Sequence, residues 1–177
     1  MNLSPEILER LKTIQLLLLD VDGVLTDGSI TYSDSGEEIK QFNARDGLGL
    51  RLLMDSGIKV GIITGRRSNA LISRCQNLGI DLIFDGIRDK ASVLAIIRER
   101  TGIESLNTAF VGDDLPDIPV MKGVGLSIAV ADSAREVLDT ADLLTEKPGG
   151  RGAIRQVCEI ILKARGMWET IVAGFNR

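Results

Sequence analysis

Two aspartates stand two residues apart in the run Asp20-Val21-Asp22-Gly23, directly after the apolar stretch Ile14 to Leu19. Polar groups follow apolar runs at two more places: Thr64 and Gly65 after the run that begins at Lys59, and Asp113, Asp114 and Asp117 after Thr108 to Val111. Lys90 falls between these groups, at the start of a helical stretch. Clustered carboxylates repel one another and raise each other's pKa values. A hard divalent cation relieves that repulsion, and oxygen ligands of this kind suit magnesium. The chemistry within reach of such a set is phosphoryl transfer. The metal draws charge from the phosphoryl group, and an in-line carboxylate attacks phosphorus to form an acyl phosphate. A second carboxylate two residues on protonates the leaving oxygen and then activates water. Thr64 and Lys90 can donate to the phosphoryl oxygens.

Each group also has a plainer reading. Asp-Gly sequences make turns after strands. Thr64 before Gly65 can cap the next helix, and a helical lysine such as Lys90 usually lies on a solvated face. Asp113-Asp114 can form a helix cap while also holding metal, and Asp46 after Arg45 reads as a local ion pair or a cap.

The elements that must position these residues follow from apolar patterning. Ser4-Pro5-Glu6 starts a short helix to about Lys12. Ile14 to Leu19, apolar apart from Gln15, reads as a strand covered on both faces, and Lys59 to Thr64, Leu82 to Phe84, Thr108 to Val111, Gly125 to Ile128 and Leu143-Leu144 read as further strands. Helices are expected at Leu48 to Met54, Ser68 to Leu78 closed by Gly79, Ala91 to Arg100, Ser133 to about Leu138, and Ile154 to Ala164. On this reading Arg66 and Arg74 lie about two turns apart on one helix. The tail 166–177 has no strong period, and Gly149-Gly150-Arg151-Gly152 is a flexible loop that either connects or approaches a ligand. Ile30 to Phe42 breaks the alternation as a β-hairpin around Ser33-Asp34-Ser35-Gly36. Repeated strand–helix units imply an α/β fold, with a parallel sheet between helices and its site beyond the carboxyl ends of the strands.

Composition narrows the classes further. The 177 residues suit one domain with a sizeable core, 44% apolar and 26% charged. Aromatics at 3% argue against base stacking, and a net charge of −4 without a basic run argues against nucleic acid. There is no histidine, which removes histidine-ligated zinc and a Ser-His-Asp triad. Cys75 and Cys158 form no disulfide framework, and no apolar run is long enough to span a membrane. A cytoplasmic enzyme is expected.

Asp20 to Thr26, Ile63-Thr64-Gly65-Arg66, Lys90, and Gly112-Asp113-Asp114 with Asp117 together resemble the haloacid dehalogenase superfamily of phosphatases, over nearly the whole chain. The resemblance implies a Rossmann-like three-layer sandwich, a single domain over 1–177, and a hairpin flap at about 29–43 in place of a cap domain. It implies Asp20 as nucleophile and metal ligand, Asp22 as general acid/base with its backbone carbonyl on the metal, and Asp113 as the third magnesium ligand. Thr64 and Lys90 would hold the phosphoryl group, with Asp114 and Asp117 in support. Further stretches resemble a capless group acting on sugar-acid phosphates: Asp27-Gly28, Gly36 to Glu38, Phe42 to Gly47, and Gly149 to Ala153. There the substrate would be the 8-phosphate of a 3-deoxy octulosonic acid on the route to lipopolysaccharide, or else a nine-carbon, sialic-acid-type sugar phosphate. Arg66 and Arg74, with Gly65 beside them, would contact the sugar acid. Members of the group are typically homotetramers in which a neighbour helps close each site, so hairpin contacts between subunits are expected. Pro116 departs from the aliphatic residue of the pattern. A signalling receiver domain uses a similar acidic cluster, Thr and Lys, but the order of the acidic groups here suits a phosphatase better.

Overall fold

The structure, a computed structural model, describes residues 3–175. The Ser4 hydroxyl accepts from the Ile7 amide at 3.3 Å and so caps α1 (Pro5–Thr13). The four leucines of β1 (Leu16–Leu19) are wholly buried. Leu17 and Leu19 enter one hydrophobic cluster, Leu16 and Leu18 the other. That is the period-two alternation of a strand covered on both sides.

Next comes the hairpin, β2 (Thr31–Tyr32) and β3 (Glu38–Ile39), an antiparallel pair separate from the main sheet. Its turn closes with the Ser33 amide donating to Glu37 O at 2.9 Å, and Gly36 supplies a positive φ of 81°. The remaining order is α2 (Ala44–Asp55), β4 (Lys59–Ile63), α3 (Asn69–Leu78), β5 (Leu82–Phe84), α4 (Leu94–Thr101), β6 (Thr108–Gly112), α5 (Ile118–Met121), β7 (Leu126–Ala129), α6 (Arg135–Leu138), β8 (Leu143–Leu144), α7 (Ala153–Ala164) and α8 (Trp168–Gly174). Short 3-10 turns, Lys90–Val93 and Leu115–Asp117, lead into α4 and α5.

The six long-range strands form one parallel sheet in the order β5-β4-β1-β6-β7-β8. Side chains of α1, α2, α3 and α7 (Leu11, Leu50, Leu71, Val157) cover one face, and those of α4, α5 and α6 (Ile97, Val120, Val137) cover the other. This is the three-layer α/β sandwich expected. The chain runs outward from β1 through β4 to β5, then returns to β6 on the opposite side of β1. The direction therefore reverses between β1 and β6, and ligands bind beyond the carboxyl ends of the strands at such a reversal. Leu19 pairs with Ile62 of β4 and with Val111 of β6. Asp20, Thr64 and Asp113 consequently leave the sheet side by side.

The tail differs from expectation. Residues 168–174 form α8, whose Trp168 ring lies under the Arg155 guanidinium at 5.2 Å and the Lys163 ammonium at 5.5 Å. The helix depends on these contacts with α7, which no local period announces. Residues 176 and 177 of the tail lie outside the described residues.

Candidate active site

A cleft of about 460 Å³ opens at the carboxyl end of the sheet, and Asp20, Asp22, Thr64, Gly65, Arg66, Lys90, Asp113, Asp114 and Asp117 all line it. The backbone explains the first pair. Asp20 continues β1, its amide donating to Val111 O at 3.0 Å. The carbonyl of Val21 then accepts from the amides of Val24, Leu25 and Thr26, folding the loop back on itself. Gly23 has φ 89°, and a β-carbon there would lie 2.0 Å from Asp113 Oδ2. Only glycine allows the two acidic loops to approach this closely.

Lys90 is buried, not solvated. Its ammonium lies 2.8 Å from Asp20 Oδ1 and 2.7 Å from Asp117 Oδ1. Burial opposes its charge, but the two carboxylates outweigh burial and raise its pKa. The other oxygen of Asp117, Oδ2, accepts from the amides of Asp113 at 2.9 Å and Asp114 at 3.3 Å. Asp114 caps the turn Leu115–Asp117 through its own Oδ1, which accepts from the Leu115 amide at 2.8 Å. Pro116 sits in the first positions of that turn, where a missing N–H costs nothing.

Asp20, Asp113 and Asp117 offer oxygens that all lie within 4.8 Å of one another. Burial, with Asp117 adding repulsion, pushes the Asp20 pKa up to about 6. Burial and the charges of Asp20 and Asp117 push Asp113 up to about 8. The buried Asp113 Oδ1 has no hydrogen-bond partner. An all-oxygen set with a repelled carboxylate pair and an orphaned oxygen fits a magnesium ion. Asp117 spends both oxygens on Lys90 and the two amides, so Asp20 and Asp113 are the carboxylates of this set that could hold a metal.

Thr64 is buried at the end of β4, and its Oγ1 accepts from the Arg66 amide at 3.3 Å. Arg66 does not share a helix with Arg74, which corrects the expectation. The chain is extended at Ser68 (φ −151°), α3 begins at Asn69, and Arg66 belongs to the preceding loop. Its guanidinium bonds Glu38 Oε2 and donates to the Tyr32 hydroxyl at 3.2 Å, with Nε 3.7 Å from Asp22 Oδ2. Arg74 lies outside this cleft: it stacks over Phe42 at 5.9 Å and donates to Asn43 O at 3.3 Å.

Sequence reasoning missed Glu38 and Lys40. Lys40 bonds Asp22 Oδ1 and stands 2.9 Å from Glu38 Oε1. Their signal was available, since opposite charges two apart on a strand share a face. The glycine loop neither merely connects nor lines the cleft. Gly149 lies against the Gly23 carbonyl so closely that a β-carbon would come within 1.6 Å of it. The Gly150 amide donates to Val24 O at 3.0 Å. Asp46 caps α7 from a distance, accepting from the Arg155 amide at 2.7 Å and the Gly152 amide at 3.3 Å.

The chain is similar to known proteins in sequence and in fold. The profile of the haloacid dehalogenase-like hydrolases matches residues 80–155. The chain is 47% identical over 163 residues, 92% of its length and 87% of the relative's, to the 3-deoxy-D-manno-octulosonate 8-phosphate phosphatase KdsC of Salmonella typhimurium. The crystal structure of that phosphatase from Yersinia pestis superposes with a TM-score of 0.93 at 44% identity, over 94% of this chain and 90% of that one. The Moraxella catarrhalis phosphatase, solved with a magnesium ion, a phosphate ion and a KDO molecule, superposes with a TM-score of 0.94 at 42% identity, over 96% of this chain and 98% of that one.

Proposed function

The chain belongs to the haloacid dehalogenase-like hydrolases, and on that premise we propose that it is a magnesium-dependent phosphatase that hydrolyses 3-deoxy-D-manno-octulosonate 8-phosphate to the free sugar acid and phosphate. The observation that carries this reading is the convergence of Asp20, Lys90 and Asp113 at the sheet reversal, with Asp22 two residues beyond the nucleophile. The identity to octulosonate phosphatases over 92% of the chain supports the substrate. The receiver alternative falls away with membership of the hydrolases.

Asp20, Asp113 and the backbone carbonyl of Asp22 would hold the magnesium ion, which would supply charge neutralisation for the phosphoryl oxygens. Asp20 attacks phosphorus and forms an aspartyl phosphate as the bond to the sugar oxygen breaks. Lys90, fixed by Asp117, and Thr64 hold the phosphoryl oxygens. Asp22 gives its proton to the departing sugar oxygen, then takes one from the water that attacks the aspartyl phosphate. Arg66, at the cleft mouth, meets the sugar acid's carboxylate, and the exposed Gly65 leaves room for the substrate to approach.

The hairpin leaves Ile30, Tyr32 and Ile39 more than half exposed. An apolar flap supports assembly through hairpin contacts, as a homotetramer. The free, buried cysteines Cys75 and Cys158 support a reducing, cytoplasmic location. Among the described residues no helix is long and apolar enough to cross a membrane. The assignment is tested by phosphate release with magnesium across a panel of sugar-acid phosphates. The octulosonate 8-phosphate is expected to give the highest kcat/KM, and a higher value for a nine-carbon acid overturns the substrate but not the chemistry.

A further inference from the structure

The Lys40 side chain is only 2% exposed and lies between the hairpin and the catalytic loop. Its ammonium has two carboxylate partners. Glu38, two residues back in β3, lies 2.9 Å away and belongs to the hairpin itself. Asp22 belongs to a different segment, and Lys40 bonds its Oδ1. A lysine that served only to hold the hairpin together needs no contact with Asp22.

The position of Asp22 shows why the contact matters. Its carboxylate projects from a loop, just before Gly23. Among the described residues its side-chain partners are Lys40 and Arg66. Arg66 is the looser of the two: its Nε stands 3.7 Å away, its side chain is 39% exposed, and its Nη2 is engaged with Glu38 and Tyr32. A general acid/base must present one oxygen first to the leaving group and then to water, so a free rotor at this position loses rate.

We propose that Lys40 is a positioning residue for Asp22, holding the carboxyl group toward the cleft through the bond to Oδ1, with Glu38 fixing Lys40 in turn. The inference rests on the acid/base reading of Asp22. The hairpin then contributes to the chemistry of its own subunit. Lys40 touches no substrate atom in this role.

The test uses the full chain with magnesium and 3-deoxy-D-manno-octulosonate 8-phosphate. Lys40→Met is expected to lower kcat by roughly 10- to 100-fold, a fraction of what an acid/base group supplies, with KM changed by less than about twofold. Lys40→Arg, which restores the charge, recovers part of the loss. In a double-mutant cycle, Lys40→Met adds no further loss to Asp22→Asn, because the group it positions is already gone. A rise in KM at unchanged kcat, or losses from the two substitutions that multiply independently, overturns the proposal. Circular dichroism and thermal melting check the fold, and if Lys40→Met fails to fold the same cycle is run with Lys40→Gln. A near-normal Asp22→Asn enzyme refutes the acid/base role and the proposal with it. An inactive Asp22→Asn beside an unaffected Lys40→Met refutes the lysine's role alone.

Discussion

The Lys90 ammonium lies 2.7 Å from Asp117 Oδ1, and the two side chains are 6% and 1% exposed. Asp117 thereby aims Lys90 at Asp20 while its other oxygen gathers the amides of Asp113 and Asp114. One carboxylate ties Lys90 to the loop that carries Asp113.

Breaking that tie should be expensive. Asp117→Ala leaves the buried Lys90 ammonium with Asp20 in place of two carboxylates and takes the acceptor from two amides, and it is expected to cost about 3 kcal/mol as well as most activity. Urea denaturation gives the first quantity and phosphate release the second. A stability change within experimental error would contradict the arrangement.

Asp20→Asn is expected to reduce turnover by roughly a thousandfold or more, as loss of a nucleophile does. The fold should gain from the same change. A buried, mutually repelling carboxylate is removed, so melting in magnesium-free buffer should rise by on the order of 1 kcal/mol of stability at neutral pH. Loss of activity together with a lowered melting temperature would point to misfolding instead.

Protons and magnesium compete for the acidic cluster. The folded pKa values of Asp20, about 6, and Asp113, about 8, both lie above the ordinary 3.8. The folded state therefore binds protons that the unfolded chain has released. Their contribution to stability is present below about pH 4 and is lost as pH rises through the folded values of about 6 and 8. The metal-free protein should melt progressively lower from pH 5 to 8. Magnesium binds the deprotonated pair, so the rise in Tm on adding it should grow over the same interval. A chelator should abolish both that rise and turnover. A magnesium-induced rise that shrinks with increasing pH would contradict the assignment of Asp20 and Asp113 as ligands.

Glycine substitutions should separate support from flexibility. Gly149→Ala drives a β-carbon to 1.6 Å from the Gly23 carbonyl, so the catalytic loop or the glycine loop must move. A loss of several kcal/mol, on the order of the large effects of overpacking, is expected together with a fall in kcat. Gly36→Ala meets nothing within 4 Å, and its positive φ alone should cost about 1 kcal/mol. Thermal melts and steady-state rates on the two variants should differ in this sense.

The chain's strands, their parallel sheet and most of the cleft are legible in the sequence because they rest on local signals. Apolar runs mark buried parallel strands, and the residue after each run must emerge at one edge. Asp20, Thr64 and Asp113 are found in this way. What escapes depends on partners distant in sequence. The burial of Lys90 follows from Asp20 and Asp117, not from its own neighbours. Asp46 looks like a cap for its own helix and instead caps α7. Arg66 looks helical by count, yet the extended backbone at Ser68 puts it in a loop where Glu38 and Tyr32 can reach it. The tail helix is held by Trp168 against Arg155 and Lys163.

The packing of Gly149 against Gly23 sets an order of events during synthesis. Asp20 emerges from the ribosome early, and Thr64, Lys90 and Asp113 follow in turn. The wedge that braces the nucleophile's loop is translated only after all of them. A nascent chain or a truncated fragment ending before Gly149 therefore carries Asp20, Thr64, Lys90 and Asp113 with the loop after Asp20 unbraced.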